Sequence, residues 1–261
     1  MGRDNAPIDR RTYLKVTGAS GVAVMTAGCL GSLTGGGDSQ EIVAGTAVGF
    51  PPFEIRNDQG EIDGFDIELL EAIVEETDYE LTEWRNFDFK SLVPSLTSDE
   101  IDVIAAAMTI TEEREQTISF TDPYYSADQG VLVRTGGDFQ PSSLGDLAGR
   151  TLGAQKGTTG ESVAQDEVEE STYRGYDSYV LAVQDLQNRN LDAVVLDQPV
   201  AQSFEANQNV EIAFVYETGE RYGFGVRKNA DDLREALNDG LATVQDDGTF
   251  QDLTTKWFGE E

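Results

Sequence analysis

Histidine is absent from the 261 residues of this chain, and cysteine occurs once, at Cys29. Without histidine the chain cannot form a Ser-His-Asp or Cys-His catalytic group, and a Cys/His zinc site is excluded for the same reason. A single cysteine cannot form an internal disulfide, so the fold must be stabilised by packing and hydrogen bonds. We therefore expect no metal and no other cofactor.

Basic residues are also scarce. The chain has 18 lysine and arginine residues, five of them lysine, against 49 aspartate and glutamate residues, and its formal net charge is −31. A surface of this sign repels phosphate, so nucleic acid is excluded as a partner and attraction to anionic lipid is disfavoured. A dense carboxylate surface stays hydrated at high salt, where its self-repulsion is screened. The composition therefore predicts a halophilic source, most simply a haloarchaeon.

The N-terminal residues have the pattern of an export signal. Arg10 and Arg11 precede a small and apolar run over residues 16–30, which is shorter than the ~20 residues that a membrane-spanning helix needs. Paired arginines at this place are typical of twin-arginine export. Cys29 ends the run as the acylated residue of a lipoprotein box would, and a chance thiol is the alternative. We expect a twin-arginine lipoprotein signal over residues 1–29, a flexible tether over residues 30–39, and a lipid-anchored protein at the extracellular face of the membrane.

Alternating helix and strand patterns predict an α/β fold. In the first half, the patterns indicate helices opening at Phe65 and over residues 89–98, and strands over residues 79–84 and 101–107. In the second half, a helix is predicted over residues 179–188 with Leu181 and Leu186 facing inward. Strands are predicted there over residues 191–197, 210–215 and 222–226.

One segment combines small residues, hydroxyls and an arginine. It is Ala105-Ala106-Ala107-Met108-Thr109-Ile110-Thr111-Glu112-Glu113-Arg114. Small residues let the backbone approach a ligand closely, and the planar guanidinium of Arg114 matches a carboxylate in two-point fashion. From these residues alone, an anion site for a small carboxylic acid and a plain strand–turn–helix with a surface arginine both remain open.

Several motifs in a fixed order resemble those of the family 3 extracellular solute-binding proteins, the substrate receptors of polar amino-acid ABC transporters. The resemblance runs from about Glu41 to Gly259. Its motifs are Phe50-Pro51-Pro52-Phe53, Gly64-Phe65-Asp66-Ile67, the segment from Asp102 to Thr111 with Arg114, Phe120-Thr121-Asp122-Pro123-Tyr124, Gly157-Thr158-Thr159, Asp192-Ala193-Val194 with Asp197, Asp247-Gly248-Thr249 and Lys256-Trp257-Phe258-Gly259.

The resemblance implies a two-lobed, periplasmic-binding-protein-like α/β fold of type II. Each lobe would be a mixed, mainly parallel sheet flanked by helices. Lobe 1 would comprise residues 40–126 and 223–261, and lobe 2 residues 127–222, with hinge segments near 124–128 and 220–223. The implied function is to capture an amino acid in the cleft between the lobes and to deliver it to an ABC permease and its ATPase, as a monomer.

The resemblance also implies a role for individual residues. Arg114 would hold the α-carboxylate, aided by the N–H and hydroxyl of Thr109 and by Thr159. Asp197 would take the α-ammonium, aided by the Ala107 carbonyl. Phe50 and Phe89 would enclose the ligand's side chain, and Gln155 would read its polarity. Position 47 departs from the family pattern, because Ala47 stands where many members carry Asp, Glu or Ser.

Other interpretations stay open for these residues. Asp197 or Thr159 could cap a helix, and Phe50 and Phe89 could be core aromatics. Asp66 and Asp102 are interpreted as structural, a helix cap and a strand-edge partner. Related chains act as cyclic-acid dehydratases or as sensor modules, but Asp197 and Glu54 are the sole obvious acid–base candidates, so we expect a binding protein and not an enzyme.

Overall fold

The computed structural model of the protein describes residues 39–259. The predicted signal, Cys29 and nearly all of the predicted tether lie outside the described residues, so these predictions stay predictions. Among residues 39–259, no helix is both long enough and apolar enough to cross a membrane.

The described residues form twelve strands. They are β1 (Gln40–Thr46), β2 (Ile55–Arg56), β3 (Ile62–Asp63), β4 (Tyr79–Asn86), β5 (Val103–Ile104), β6 (Ile118–Phe120), β7 (Tyr125–Arg134), β8 (Thr151–Gln155), β9 (Thr172–Tyr176), β10 (Ala193–Asp197), β11 (Val210–Tyr222) and β12 (Gly225–Arg227). β2 and β3 form a separate small hairpin, and the other ten strands form two sheets of five.

The α-helices of the described region lie between and after these strands. They are α1 (Phe65–Glu75), α2 (Leu92–Thr97), α3 (Glu112–Glu115), α4 (Thr159–Ser162), α5 (Tyr179–Gln187), α6 (Gln198–Asn207), α7 (Asp231–Asp246) and α8 (Thr249–Phe258). Single 3₁₀ turns cover Phe89–Ser91 and Leu144–Leu147, and a π turn covers Val163–Glu167.

Both sheets contain parallel and antiparallel pairs of strands. The first has the order β4-β1-β5-β12-β6, and β1 runs parallel to β4 and β5. The second has the order β11-β7-β10-β8-β9, and β8 runs parallel to β9 and β10. All five residues of β10 are buried, as expected for a strand covered on both faces. The predicted two-lobed α/β fold is confirmed, while the lobe boundaries stay a prediction.

β7 and β11 connect the two lobes side by side. Their pairing extends to Tyr222 opposite Tyr125, so the two predicted hinge segments are neighbours in one antiparallel pair. Phe53, fully buried, packs edge-on against both tyrosine rings at 5.4 and 5.1 Å. Gly64 must be a glycine here, because its φ is +140° and a Cβ would lie 2.1 Å from the Phe53 carbonyl oxygen.

Three predictions about elements were wrong. The strand predicted over residues 101–107 is limited to β5, and Ala107 has a left-handed φ of +44°, which is incompatible with an extended strand. The strands predicted over residues 210–215 and 222–226 are instead the single long β11 followed by β12. Leu181 is 48% exposed, since the buried face of α5 consists of Tyr179, Ala182, Val183 and Leu186 at helical spacing.

Candidate ligand-binding site

A small cavity lies between the two lobes. Its lining includes all eight residues that the sequence predicts for the site, whose part in binding stays a prediction. The complete lining is Ala47, Phe50, Glu54, Phe89, Ala107, Thr109, Arg114, Gln155, Thr158, Thr159 and Asp197.

The cleft is closed by contacts between the lobes. Arg114 donates from Nη2 to the Gly157 carbonyl at 2.9 Å, and the Phe50 ring lies 5.6 Å from the Tyr179 ring. Lys90 and Asp177 form an ion pair at 3.4 Å, but both side chains are about half exposed, so this pair contributes little. Of these three contacts, the one between Phe50 and Tyr179 joins two buried side chains.

Arg114 is one of the residues that line the cavity. The Thr111 hydroxyl caps α3 by accepting the Arg114 N–H at 3.2 Å, and Nη1 of Arg114 donates to the Thr109 carbonyl at 2.6 Å. Its guanidinium lies 5.3 Å from the centre of the Phe89 ring. Burial lowers the pKa of Arg114, while Asp197 and Glu220 oppose that shift, and a guanidinium remains charged at any physiological pH. Two of the five guanidinium N–H groups donate to the carbonyls of Thr109 and Gly157. The guanidinium can therefore still offer a two-point contact to a carboxylate.

Asp197 stands at the carboxyl end of β10 and is buried. It occupies the N-cap position of α6 but makes no capping hydrogen bond, so the helix-cap interpretation does not describe its side chain. Its carboxylate accepts from the Gln129 amide. Burial, followed by the negative charge of Glu220, raises the pKa of Asp197 to about 8. A cation beside Asp197 would offset both effects.

Thr159 is not the cap of its helix either. That role belongs to Thr158, whose hydroxyl accepts the Glu161 N–H at 3.2 Å. Thr159 is left facing the cavity. Gln155, 5% exposed, donates to the Asp177 carbonyl at 3.2 Å and also lines the cavity.

The two predicted aromatic residues differ in burial. Phe50 is 6% exposed and packs against Phe53 and Tyr179, so it is both a core residue and a wall of the cavity. Phe89 is only partly buried and reaches the cavity from the 3₁₀ turn before α2. The core-aromatic interpretation thus fits Phe50 better than Phe89.

Glu54 is a cavity residue that the site prediction missed. Its side chain is fully buried, and neither carboxylate oxygen has a hydrogen-bond partner among the described residues. Burial and the nearby charges of Asp66 and Asp197 raise its pKa well above the usual range for a glutamate. The sequence signal is a carboxylate placed directly after the stiff Phe50-Pro51-Pro52-Phe53 segment. In the structure the Phe50 N–H donates to the Glu54 carbonyl at 3.1 Å.

Asp66 supports the cavity wall from behind. It is not a helix cap, because Gly64 holds that position in α1. Instead one oxygen accepts both the Ala107 N–H and the Tyr124 hydroxyl at 2.6 Å. These bonds hold Ala107 in its left-handed conformation at the cavity surface. Burial raises the pKa of Asp66 to about 7, although the two hydrogen bonds oppose the shift.

Asp102 meets its predicted description as a strand-edge partner. Its carboxylate accepts the Val43 N–H at 2.9 Å and pairs with the Arg227 guanidinium at 2.8 Å. It lies outside the cavity lining, so its place is in the first sheet and not in the site.

Two α/β lobes enclosing a cavity lined by an arginine and by two buried carboxylates define a binding protein for a small molecule that carries both charges. The comparison with protein families agrees. The model of the bacterial extracellular solute-binding proteins, family 3, matches residues 42–260. The chain belongs to this family, as its motifs predicted.

Curated relatives and solved structures point the same way. ABC transporter arginine-binding protein 1 of Escherichia coli (strain K12) is 34% identical over 242 residues, which cover 90% of this chain and 98% of the relative. An ancestral arginine-binding protein, solved bound to arginine, is 36% identical with a TM-score of 0.79, and the match covers 85% of this chain and all of the other. A structure of an ancestral arginine-binding protein bound to glutamine is 37% identical with a TM-score of 0.77, and the match covers 84% of this chain and 98% of the other. The ancestral amino acid-binding protein AncCDT-1, a precursor of cyclohexadienyl dehydratase, is 30% identical with a TM-score of 0.78, covering 84% and 95%.

Proposed function

We propose that this chain captures a cationic amino acid, of which arginine is the model, and hands it to an ABC permease. Its family membership already establishes the coarser statement, that the chain is the substrate-binding component of an amino-acid ABC transporter. The cationic side chain is the finer part and comes from the cavity.

The fully buried, unpartnered carboxylate of Glu54 carries this proposal. An ionised carboxylate out of water is strongly unfavourable unless a cation or several donors meet it. Asp197 adds a second buried carboxylate to the same cavity, against the single cation of Arg114. A zwitterion supplies one ammonium for Asp197 and one carboxylate for Arg114, which leaves Glu54 without a partner. A second positive charge on the ligand's side chain completes the pairing.

The predicted site residues then contact the ligand as follows. Arg114 and Thr109 hold the α-carboxylate, with Thr159 beside them, and Asp197 and the Ala107 carbonyl hold the α-ammonium. Phe50 and Phe89 enclose the side chain, which leads toward Glu54 past Gln155. Ala47, 4% exposed, removes a polar group that many family members have at that position, so discrimination rests on Glu54.

Titration calorimetry of the full chain with arginine, lysine, glutamine and alanine, in buffer containing molar salt, tests the proposal. We expect arginine and lysine to bind at least about 10-fold more tightly than glutamine, because one charged hydrogen bond contributes about 1.5–3 kcal/mol. Tighter binding of a neutral amino acid would overturn the cationic part and leave the family assignment intact.

Catalysis is the second candidate, because AncCDT-1 is described as a precursor of a dehydratase. Glu54 and Asp197 both have raised pKa values, as an acid or base in a cleft would. We propose binding without turnover, since the same shifts follow from carboxylates that await a cation. Proton NMR of a cyclic hydroxy acid after prolonged incubation with the protein tests this, and a dehydrated product would favour the enzyme.

We also propose that the protein is exported by the twin-arginine route, is anchored outside the cell by a lipid on Cys29, and acts as a monomer in a halophilic host. The support is the sequence pattern around Arg10, Arg11 and Cys29 and the net charge of −31. The mass of the intact protein extracted from host membranes tests the anchor, and an unprocessed N-terminus would refute it. A midpoint of unfolding that is insensitive to salt would refute the halophilic source.

A further inference from the structure

Glu220 lies on β11 at the place where this strand passes from one lobe to the other. It pairs with Ala127 of β7, two residues before the end of the strand at Tyr222. Its side chain is only 9% exposed, although it directly follows three exposed residues, Glu217-Thr218-Gly219. A carboxylate turned inward from an exposed segment needs partners in the interior.

The partners of Glu220 come from both lobes. Its Oε2 accepts the hydroxyl of Thr109 at 2.7 Å and the hydroxyl of Thr159 at 2.8 Å. Thr109 follows β5 of the first sheet, and Thr159 begins α4 beside the second sheet. Its Oε1 accepts the Gln129 amide at 3.0 Å and the Thr218 hydroxyl at 3.2 Å. One carboxylate oxygen therefore joins the two threonines that face the cavity from opposite sides.

These bonds decide what the threonines can offer a ligand. A hydroxyl has one proton, and both protons are given to Glu220, so each oxygen keeps only lone pairs for other partners. Thr109 and Tyr222 form a non-hydrogen-bonded pair, because the bonds around them run from the Ile110 N–H to Arg221 and from the Gly223 N–H to Met108. The Thr109 N–H therefore points away from β11, on the side where its carbonyl meets Arg114.

We propose that Glu220 is a positioning residue of the binding site, which joins Thr109 and Thr159 across the closed cleft and fixes the direction of their hydroxyl protons. The α-carboxylate is then held by Arg114 and the Thr109 N–H and not by the hydroxyls. Opening of the cleft separates the two threonines, so a single oxygen cannot stay bonded to both. Glu220 thereby slows the release of a bound ligand. This inference rests on the proposed function.

Glu220→Gln in the full chain tests the role, because it keeps the shape of the side chain and removes the charge. Stopped-flow fluorescence with L-arginine gives the association and dissociation rates. We expect the dissociation rate to rise about 10-fold and the association rate to change less than about 3-fold, since a charged hydrogen bond formed on closure acts mainly on dissociation.

A double-mutant cycle separates positioning from a general effect on the fold. Thr159→Val removes the hydroxyl at nearly constant shape, and Glu220→Gln should then change the dissociation rate less than about 3-fold, because its partner is gone. Thr218→Val is the matched control, since Thr218 donates to the other oxygen of Glu220 but is exposed. We expect it to leave the dissociation rate within about 2-fold of the wild type.

Two results would overturn the proposal: a dissociation rate of Glu220→Gln equal to that of the wild type, or an undiminished effect in the Thr159→Val background. Failure of the proposed function has a different signature, because the wild type would then not bind L-arginine. The same rates are in that case measured with the amino acid that gives the largest thermal shift. Glu220 acts on threonines beside the groups that every amino acid shares, so the expected ratios are unchanged.

Discussion

Two parts of the cavity lining differ in how far the protein itself satisfies their charged groups. We call them the Arg114 end, which includes Thr109 and Thr159, and the Glu54 end. Arg114 donates to two carbonyls, one in each lobe, and Thr109 and Thr159 are bonded to Glu220. Glu54 has no hydrogen-bond partner for either oxygen among the described residues, although it is fully buried. In the closed cleft the first end is organised by protein groups, and the second is incomplete without a ligand.

This difference separates capture from selection. The organised end meets the carboxylate that all amino acids carry, so it contributes affinity without discrimination. The incomplete end favours a ligand that brings a cation to it, because only such a ligand removes the unfavourable burial of Glu54. Selectivity thus arises where the protein leaves a buried carboxyl group without a partner.

The largest effect is expected from removing the organised end. Arg114→Ala should abolish binding of every amino acid, at least about 100-fold in affinity, because it leaves the ligand's carboxylate buried without its partner, a loss of about 3–5 kcal/mol. Titration calorimetry measures the loss, and circular dichroism checks that the fold survives. Arg85→Ala is the matched control, since Arg85 pairs with exposed Glu83 on β4. Near-normal affinity of Arg114→Ala would remove Arg114 from the site.

A smaller loss of affinity is expected for a substitution of Asp197, together with a change in the number of protons released on binding. Asp197→Asn should weaken binding about 10- to 100-fold, because the ammonium loses a charged hydrogen bond. The pKa of Asp197 is raised to about 8, so at pH 6 the ligand-free protein holds a proton that the ammonium displaces. Calorimetry in two buffers of different ionisation enthalpy counts the protons released. We expect the count to fall by about one in the variant, and an equal count would contradict the assignment.

A third effect concerns the stability of the ligand-free protein and not its affinity for a ligand. The pKa values of Asp66 and Asp197 are raised to about 7 and about 8, both above the values in an unfolded chain. The folded protein therefore binds more protons than the unfolded chain between about pH 4 and 8, and its stability falls as the pH rises through that range. Urea unfolding at constant high salt should show this decline. Asp66→Asn should flatten it, and stability that rises with pH would contradict the raised values.

The sequence predicted the residues near strand ends better than those that depend on long-range register. The cavity contains Arg114, Thr109 and Asp197 as predicted, because ligands bind at the carboxyl ends of strands in such sheets. Glu220 could not be found, since it lies 111 residues from Thr109 and faces inward only through the pairing of β11 with β7. Leu181 was misplaced because Val180 and Leu181 are apolar but exposed, so the apolar pattern alone does not define the buried face of α5.

The burial of the Glu54 carboxylate could not be predicted from the local sequence either. A glutamate after two prolines and a phenylalanine has no local feature that separates a solvated side chain from a buried one. Its burial depends on contacts of the assembled fold, where it lines the cavity near the charges of Asp66 and Asp197.

The central claim is that Glu54 selects a cationic side chain, and the ratio of the affinities for L-arginine and L-citrulline measures it most directly. Citrulline has the shape of arginine but a neutral end. In the wild type we expect arginine to bind about 100-fold more tightly than citrulline, and in Glu54→Gln the ratio should fall to about 10-fold or less. The ligand-free variant should also unfold at a higher temperature, because a buried unpaired carboxylate is gone. An equal ratio in wild type and variant would contradict the claim.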